Sequence, residues 1–63
     1  MIINGSEMQI SSCRVIEILE KLNLDSKKVV VEINMDIIPV EEFSERIIQT
    51  DDKIEIISFV GGG

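Results

Sequence analysis

The 63-residue chain contains no histidine, tryptophan, tyrosine or alanine, and it has one cysteine and one proline. Without histidine, a serine or cysteine nucleophile lacks its usual base, and zinc lacks its usual imidazole ligands. The lone Cys13 can form no internal disulfide and cannot hold an iron–sulfur cluster, and it is typical of a reducing compartment. No glycine-rich phosphate loop precedes a helix, because the glycine cluster ends the chain. We therefore expect no enzyme and no metal or cofactor bound by the chain itself.

Basic residues are also scarce, since six of them stand against twelve acidic residues and give a net charge of −6. An acidic surface repels phosphate backbones, so we expect no nucleic-acid partner and favour partners with a basic face. No apolar run approaches the roughly 18 residues of a membrane span, and residues 1–4 lack the basic start of a signal peptide. These absences predict a cytoplasmic protein that binds no membrane.

Two acidic pairs and the cysteine are the remaining candidates for chemistry. Asp51-Asp52 and Glu41-Glu42 carry oxygens that suit a hard cation, but adjacent exposed carboxylates are more typical of solvated turns. Cys13 lies at the expected N-terminus of a helix, where a thiolate would be stabilised. It has no second cysteine beside it, so an incidental small residue is the favoured interpretation.

Isoleucine is the residue that the chain has in excess, at thirteen of 63 positions. Because β-branched side chains suit extended backbone, this composition favours a sheet-rich fold. Apolar patterning predicts four strands, at residues 1–4, 8–11, 28–34 and 53–60. Asn4-Gly5 predicts a tight hairpin turn between the first two strands, because both residue types tolerate positive φ.

In residues 15–22 the spacing of apolar side chains changes from the strand period of two to the helical period of 3.6. Apolar side chains recur there at i, i+3, i+4 and i+7, namely at Val15, Ile18, Leu19 and Leu22. This spacing predicts one amphipathic helix. We expect Ser11 or Ser12 to cap its start, and Glu17 to pair with Lys21 on its exposed side.

The third strand indicates how helix and sheet meet. Val29, Val31 and Ile33 point to one face and alternate with residues on a wetter face. One helix can cover one face of a small sheet, and the last strand must pair with a strand already formed, for which the first is the most apolar candidate. We therefore predict an α+β fold, a ubiquitin-like β-grasp, whose mixed four- to five-stranded sheet packs on one main helix. The domain is expected over residues 1–60, followed by a flexible glycine tail at residues 61–63.

Residues 34–52 are predicted to be irregular. A turn leads into a short extended piece before Pro39, and Phe43 packs inward from a single helical turn. Residues 47–48 return to the core. A turn at residues 50–52 follows, and we expect an aspartate there in the left-handed conformation.

The chain ends in Gly61, Gly62 and Gly63, soon after the last strand. Glycine has no Cβ, so such a tail can enter a slot too narrow for side chains, and three extended residues reach about 10 Å. The pattern suits a Gly63 carboxylate that is handed into the active site of another protein. The alternative is a frayed terminus without function.

Alternation along the last strand predicts a docking surface beside the tail. Ile54 and Ile56 should face the helix, which places Ile57 and Phe59 on the open face of the sheet. Exposed apolar residues beside a reactive terminus would dock a partner and aim the tail. The predicted docking residues are Ile57, Phe59 and Val60, and Val30 can join them. The alternative is a bulge that turns Phe59 toward the edge of the core.

Five parts of the chain form a recognisable pattern: Ile33 to Pro39, Phe43, Gln49 to Ile56, the ending Phe59 to Gly63, and residues 15–19. In these parts the chain resembles the ThiS family of sulfur carriers in thiamine biosynthesis. The most specific part of the resemblance is the combination of Asn34, Pro39 and a terminal Gly62-Gly63 in so short a chain. Val40 departs from the family pattern, which often has a basic residue there, and Asp51 stands where many relatives have glycine.

The resemblance implies that the terminal carboxylate of Gly63 is adenylated by an E1-like, ThiF-like adenylyltransferase that uses ATP. The acyl adenylate is then converted to a thiocarboxylate with sulfur from a donor protein. A ThiG-like thiazole synthase takes that sulfur into the thiazole ring. The chain is expected to be a carrier and co-substrate in these steps, and it needs no catalytic residue of its own.

Other function classes use a similar tail. A MoaD-like carrier would deliver sulfur to molybdopterin, and a ubiquitin-like modifier would form amide bonds with lysines. A plain interaction domain with an inert tail is a further alternative. The length of 63 residues favours the thiazole carrier, because it is minimal for this fold.

Overall fold

The computed structural model describes residues 1–59, which form eight regular elements and two 3₁₀ turns. The α-helix of these residues is α1 (Val15–Lys21), and the 3₁₀ turns are Ser26–Lys28 and Val40–Glu42. The strands are β1 (Ile2–Ile3), β2 (Ser6–Glu7), β3 (Cys13–Arg14), β4 (Val29–Ile33), β5 (Asp36–Ile38), β6 (Ile47–Ile48) and β7 (Lys53–Ser58). Within residues 1–59, no helix is long and apolar enough to cross a membrane.

Five of the strands form a mixed sheet in the order β2-β1-β7-β4-β5. β1 and β7 run parallel, and the other neighbours in this sheet run antiparallel. β3 and β6 make a separate two-stranded pair. The first and last strands therefore pair as expected, and the mixed sheet with one helix confirms the predicted β-grasp.

The core lies between α1 and one face of this sheet. Val15, Ile18 and Leu19 are buried on the helix, and Leu22 packs partly buried against them, so the predicted helix face is confirmed. The other buried residues are Met1, Ile3, Val29, Val31, Ile33, Ile38, Phe43, Ile48, Ile54 and Ile56. Phe43 packs inward and Ile48 returns to the core, as the sequence predicted.

The second strand lies earlier than predicted. Asn4 and Gly5 both have positive φ, at 51° and 82°, and they reverse the chain within two residues. Ile3 then pairs directly with Ser6, so β2 occupies residues 6–7 and residues 8–11 form no strand. The tight turn set this register, and it leaves the apolar side chains after β2 to pack on the core from a loop.

The start of α1 also differs from the prediction. Arg14 precedes the first helical residue, and its backbone N–H donates to Glu17 Oε1 at 2.8 Å. Arg14 Nε lies 3.3 Å from the same oxygen, so Glu17 pairs with Arg14 and not with Lys21. The backbone hydrogen bond from Arg14, followed by the side-chain one, lowers the pKa of Glu17. Ser12 does not cap the helix, because its hydroxyl donates to the carbonyl oxygen of Ile48 at 3.1 Å.

The turn before β7 needs no left-handed aspartate. Neither Asp51 nor Asp52 has a positive φ, so that prediction is wrong. The Asp52 carboxylate closes the turn instead, by accepting hydrogen bonds from the Gln49 N–H at 2.8 Å and from Asn34 Nδ2 at 3.0 Å. Side-chain acceptance of this kind satisfies the turn without a strained backbone.

Candidate functional site: the open sheet face beside the tail

The strand that leads to the glycine tail lies at the centre of the sheet. β7 has β1 on one side and β4 on the other, and the pairing with β4 extends over five residues. It continues past the strand end, because the Phe59 N–H donates to the Lys28 carbonyl at 2.9 Å. The base of the tail is therefore attached to the most firmly paired strand among residues 1–59.

Two asparagines attach β7 to the turns around it. The Asn34 N–H donates to the Lys53 carbonyl at 2.8 Å, and Asn34 Oδ1 accepts the Lys53 N–H at 3.0 Å. Asn4 Oδ1 accepts the Ile56 N–H at 2.7 Å, and Asn4 Nδ2 donates to the Ile56 carbonyl at 3.2 Å. Asn4 follows the end of β1 and Asn34 follows the end of β4. Their side chains bond the backbone of β7 in place of a further strand residue, so the hydrogen bonding along β7 continues past the ends of both neighbours.

The sequence indicated the turns at these two asparagines but not their contacts with β7. Both have φ of 51°, a left-handed conformation that asparagine tolerates better than most residues. An asparagine that follows an apolar run at a hairpin is the signal that could have identified them.

The alternation predicted for β7 is confirmed. Ile54 and Ile56 are buried, whereas Ile57 is 54% exposed and Phe59 is 48% exposed. The β4–β7 register runs without a bulge, so Phe59 does not turn toward the edge of the core. Val30 lies directly opposite Ile57 and is half-buried. We call Val30, Ile57 and Phe59 the apolar patch.

A pair of glutamates lies next to the apolar patch on the same face. Glu32 on β4 and Glu55 on β7 are directly opposite each other, two residues along from Val30 and Ile57. We call them the acidic pair. Ile37 on β5 lies opposite Glu32 and is 67% exposed, so apolar side chains flank the acidic pair on two sides.

Three of the predicted site residues form the tail itself. Gly61, Gly62 and Gly63 lie outside the described residues, and so does Val60, which was predicted to dock a partner. Ile57 and Phe59 are brought together with Val30 as expected. Their role in docking remains a prediction.

Cys13 has an environment opposite to that of a reactive thiolate. Burial, followed by the nearby charge of Glu17, raises the pKa of its thiol. A higher pKa keeps the thiol protonated and less nucleophilic. Cys13 pairs with Ile48 between β3 and β6, so the structure supports the interpretation as an incidental small residue.

The acidic pairs weighed as cation ligands do not come together with other ligands. Asp52 is already engaged by N–H donors from Gln49 and Asn34. Within residues 1–59, no group of three or more histidine, cysteine or acidic side chains is placed to hold a metal ion.

The model of the ThiS family matches residues 1–63. The chain belongs to the ThiS family. Among solved structures, the crystal structure of a thiamine biosynthesis protein (ThiS) from Geobacter metallireducens superimposes with a TM-score of 0.83 at 29% identity. That similarity covers 98% of this chain and 96% of the other chain. The family and the fold expected from the sequence are thus both confirmed.

Two curated relatives are each 39% identical to this chain. One is a thiazole synthase from Paramagnetospirillum magneticum, matched over 64 residues and the whole of this chain. The other is an uncharacterised protein from Porphyra purpurea, matched over 46 residues and 73% of this chain. This chain spans 20% of the length of the first and 65% of the second. The larger part of the thiazole synthase therefore has no counterpart in this ThiS-family chain.

Proposed function

We propose that this chain is a sulfur carrier for the synthesis of the thiamine thiazole. The observation that carries the proposal is the match of the ThiS family to all 63 residues, which include the three terminal glycines. The match favours this role over a molybdopterin sulfur carrier and over a modifier of lysines. The 39% identity to a thiazole synthase supports the same pathway.

The chemistry we propose takes place at Gly63 in two steps. An oxygen of the Gly63 carboxylate attacks the α-phosphate of ATP on an E1-like, ThiF-like activating enzyme, and pyrophosphate leaves. The terminal sulfur of a persulfide on a donor protein then attacks the acyl carbon, and AMP leaves with its electron pair. A thiol reductant supplies two electrons that cleave the S–S bond of the resulting acyl disulfide, so the donor leaves as a thiolate and the sulfur stays on Gly63. The product is a thiocarboxylate, from which a ThiG-like thiazole synthase takes the sulfur. ATP is bound by the activating enzyme, and the carrier supplies the acyl group.

The apolar patch, together with Val60, is proposed to dock these partner proteins. Its exposed side chains lie at the end of β7, within a few residues of Gly63. Burying exposed apolar area at this place would stabilise a complex and direct the tail toward a partner's site. We also propose that the protein acts in the cytoplasm, which its single free thiol suits.

The test is ATP–pyrophosphate exchange with the activating enzyme of the same organism. Removal of Gly63, or addition of an alanine after it, moves the carboxylate by about 3.5 Å and should abolish exchange. Gly62→Val should do the same, because a branched side chain fits a narrow channel poorly and disfavours positive φ.

Thermal unfolding is the control for these three variants, and their midpoints should match the parent. Mass spectrometry of the protein from its own host should also show one terminal oxygen replaced by sulfur. If the truncated and extended chains both support exchange as well as the parent, the terminus is not the substrate and the carrier role is wrong.

A further inference from the structure

We propose that the acidic pair binds one basic side chain of the activating enzyme and so selects the partner that docks on the apolar patch. This inference rests on the proposed function and adds to it the chemistry by which the partner is chosen. The occupant is an arginine or lysine side chain that lies between Glu32 and Glu55 while apolar residues beside it cover Val30 and Ile57.

The first support is the unfavourable register of the acidic pair. Glu32 and Glu55 face each other across the β4–β7 ladder, where directly opposed side chains have Cβ atoms about 5 Å apart. Like charges at such positions repel and destabilise a sheet. Within residues 1–59 neither carboxylate forms an ion pair, since the ion pairs there are Met1 with Glu7 and Arg14 with Glu17. A cation placed between the two would remove this repulsion.

The second support is the surface depression in which the acidic pair lies. A surface depression of about 360 Å³ is lined by Glu32, Asn34, Met35, Lys53 and Glu55. Its volume is near the lower end of the range for pockets that bind small molecules. It opens to solvent on the face of the sheet that no helix covers. One long side chain can therefore enter it from a partner that lies against the sheet.

The third support is continuity with the apolar patch. The open face carries Val30 and Ile57 in one row and the acidic pair in the next, and Ile37 flanks the acidic pair on the far side. A docked protein that covers Ile57 must also cover or border Glu55. Two carboxylates in a desolvated contact require a cationic partner, because an unpaired buried charge is costly.

Lysines near the two ends of the face define further which charge pattern a partner must have. Lys53 follows the acidic pair toward one end of the sheet, and Lys28 lies opposite Phe59 at the other end. Along β4 and β7 the face therefore carries two negative charges at its centre and a lysine toward each end, while Glu7 on β2, in the row of Lys53, is paired with the N-terminal ammonium. A partner with one central cation matches this pattern, whereas a broadly basic surface such as one that binds nucleic acid does not.

Single substitutions separate this role from a structural one, because they should move stability and binding in opposite directions. Glu32→Gln and Glu55→Gln each remove the repulsion, so their midpoints of thermal unfolding should equal or exceed the parent value. Each should raise the KM of the carrier in ATP–pyrophosphate exchange by about tenfold with kcat nearly unchanged, since a charge-assisted hydrogen bond is lost. Glu55→Lys should stabilise the fold by pairing with Glu32 and should weaken binding further.

Glu41→Gln is the matched control, because it changes the net charge by the same amount at an exposed position on a 3₁₀ turn. Its KM should match that of the parent.

If the parent supports exchange and the two glutamine variants keep its KM, the inference is wrong while the carrier role stands. If the parent supports no exchange, the proposed function itself fails. A parent dimer in sedimentation that Glu55→Lys dissociates would assign the face to self-association and overturn the inference.

Discussion

Asparagine is the residue type that holds this fold's last strand in place. Asn4, Asn23 and Asn34 all have left-handed φ, between 51° and 59°. Asn4 and Asn34 also use their side-chain amides as hydrogen-bond partners for the backbone of β7. Turn geometry and sheet continuity are thus provided by the same side chains, close to the base of the proposed tail.

Asn4→Gly tests this dual role, because glycine keeps the positive φ and removes the side-chain amide. Two partly buried hydrogen bonds to Ile56 are lost, so we expect a destabilisation of about 1–3 kcal/mol in chemical denaturation. Asn23→Gly is the control, because Asn23 has a φ of 59° and its side chain makes no hydrogen bond within residues 1–59. Equal losses in the two variants would show that the amide of Asn4 does not stabilise β7.

At the scale of elements, α1 is too short to be stable alone. It has seven residues, about two turns, and isolated helices of that length are not populated in water. Its stability comes from the buried face formed by Val15, Ile18 and Leu19, and from the Glu17 carboxylate that accepts the Arg14 N–H at its start. Tertiary packing therefore decides whether this helix exists.

Leu19→Ala should accordingly destabilise the whole domain and not only the helix. Leu19 is 1% exposed, and removing a buried leucine side chain costs roughly 2–5 kcal/mol through lost burial and the cavity that remains. Glu20→Ala, at an exposed position of the same helix, should change stability by less than about 0.5 kcal/mol. The same denaturation midpoint for Leu19→Ala and the parent would mean that the helix face is misassigned.

At the scale of the whole molecule, the sheet has one covered face and one open face. The helix covers the face that carries Ile54 and Ile56, and the open face presents the apolar patch and the acidic pair. A domain of 63 residues cannot cover both faces with one helix. The fold therefore leaves a surface available for partners on the side where β7 ends.

Phe59→Asp tests the use of that surface. An aspartate in a desolvated apolar contact should weaken binding to the proposed activating enzyme by about 2 kcal/mol or more, which is roughly thirtyfold in affinity by calorimetry. Ile47→Asp is a closely matched control, because Ile47 is 47% exposed against 48% for Phe59 and lies on β6, outside the five-stranded sheet. Unchanged affinity for a folded Phe59→Asp variant would remove the apolar patch from the docking site.

The local pattern of the sequence determined the helix, the central strands β4 and β7, and the buried face. The helical period in residues 15–22 and the alternation in β4 and β7 identified α1, the core residues and the exposure of Ile57 and Phe59. These features depend on which side of a helix or strand a residue occupies, and that side follows from spacing along the chain. The order of residues and the terminal glycines also determined the family.

The tertiary structure alone decided the features that depend on register between distant segments. It placed Glu32 opposite Glu55 and brought the side chain of Asn4 to the backbone of Ile56. The tight turn at Asn4 and Gly5 moved the second strand from residues 8–11 to residues 6–7. Spacing along one segment carries no information about its partner segment, because the register of paired strands is set by turn geometry and core packing.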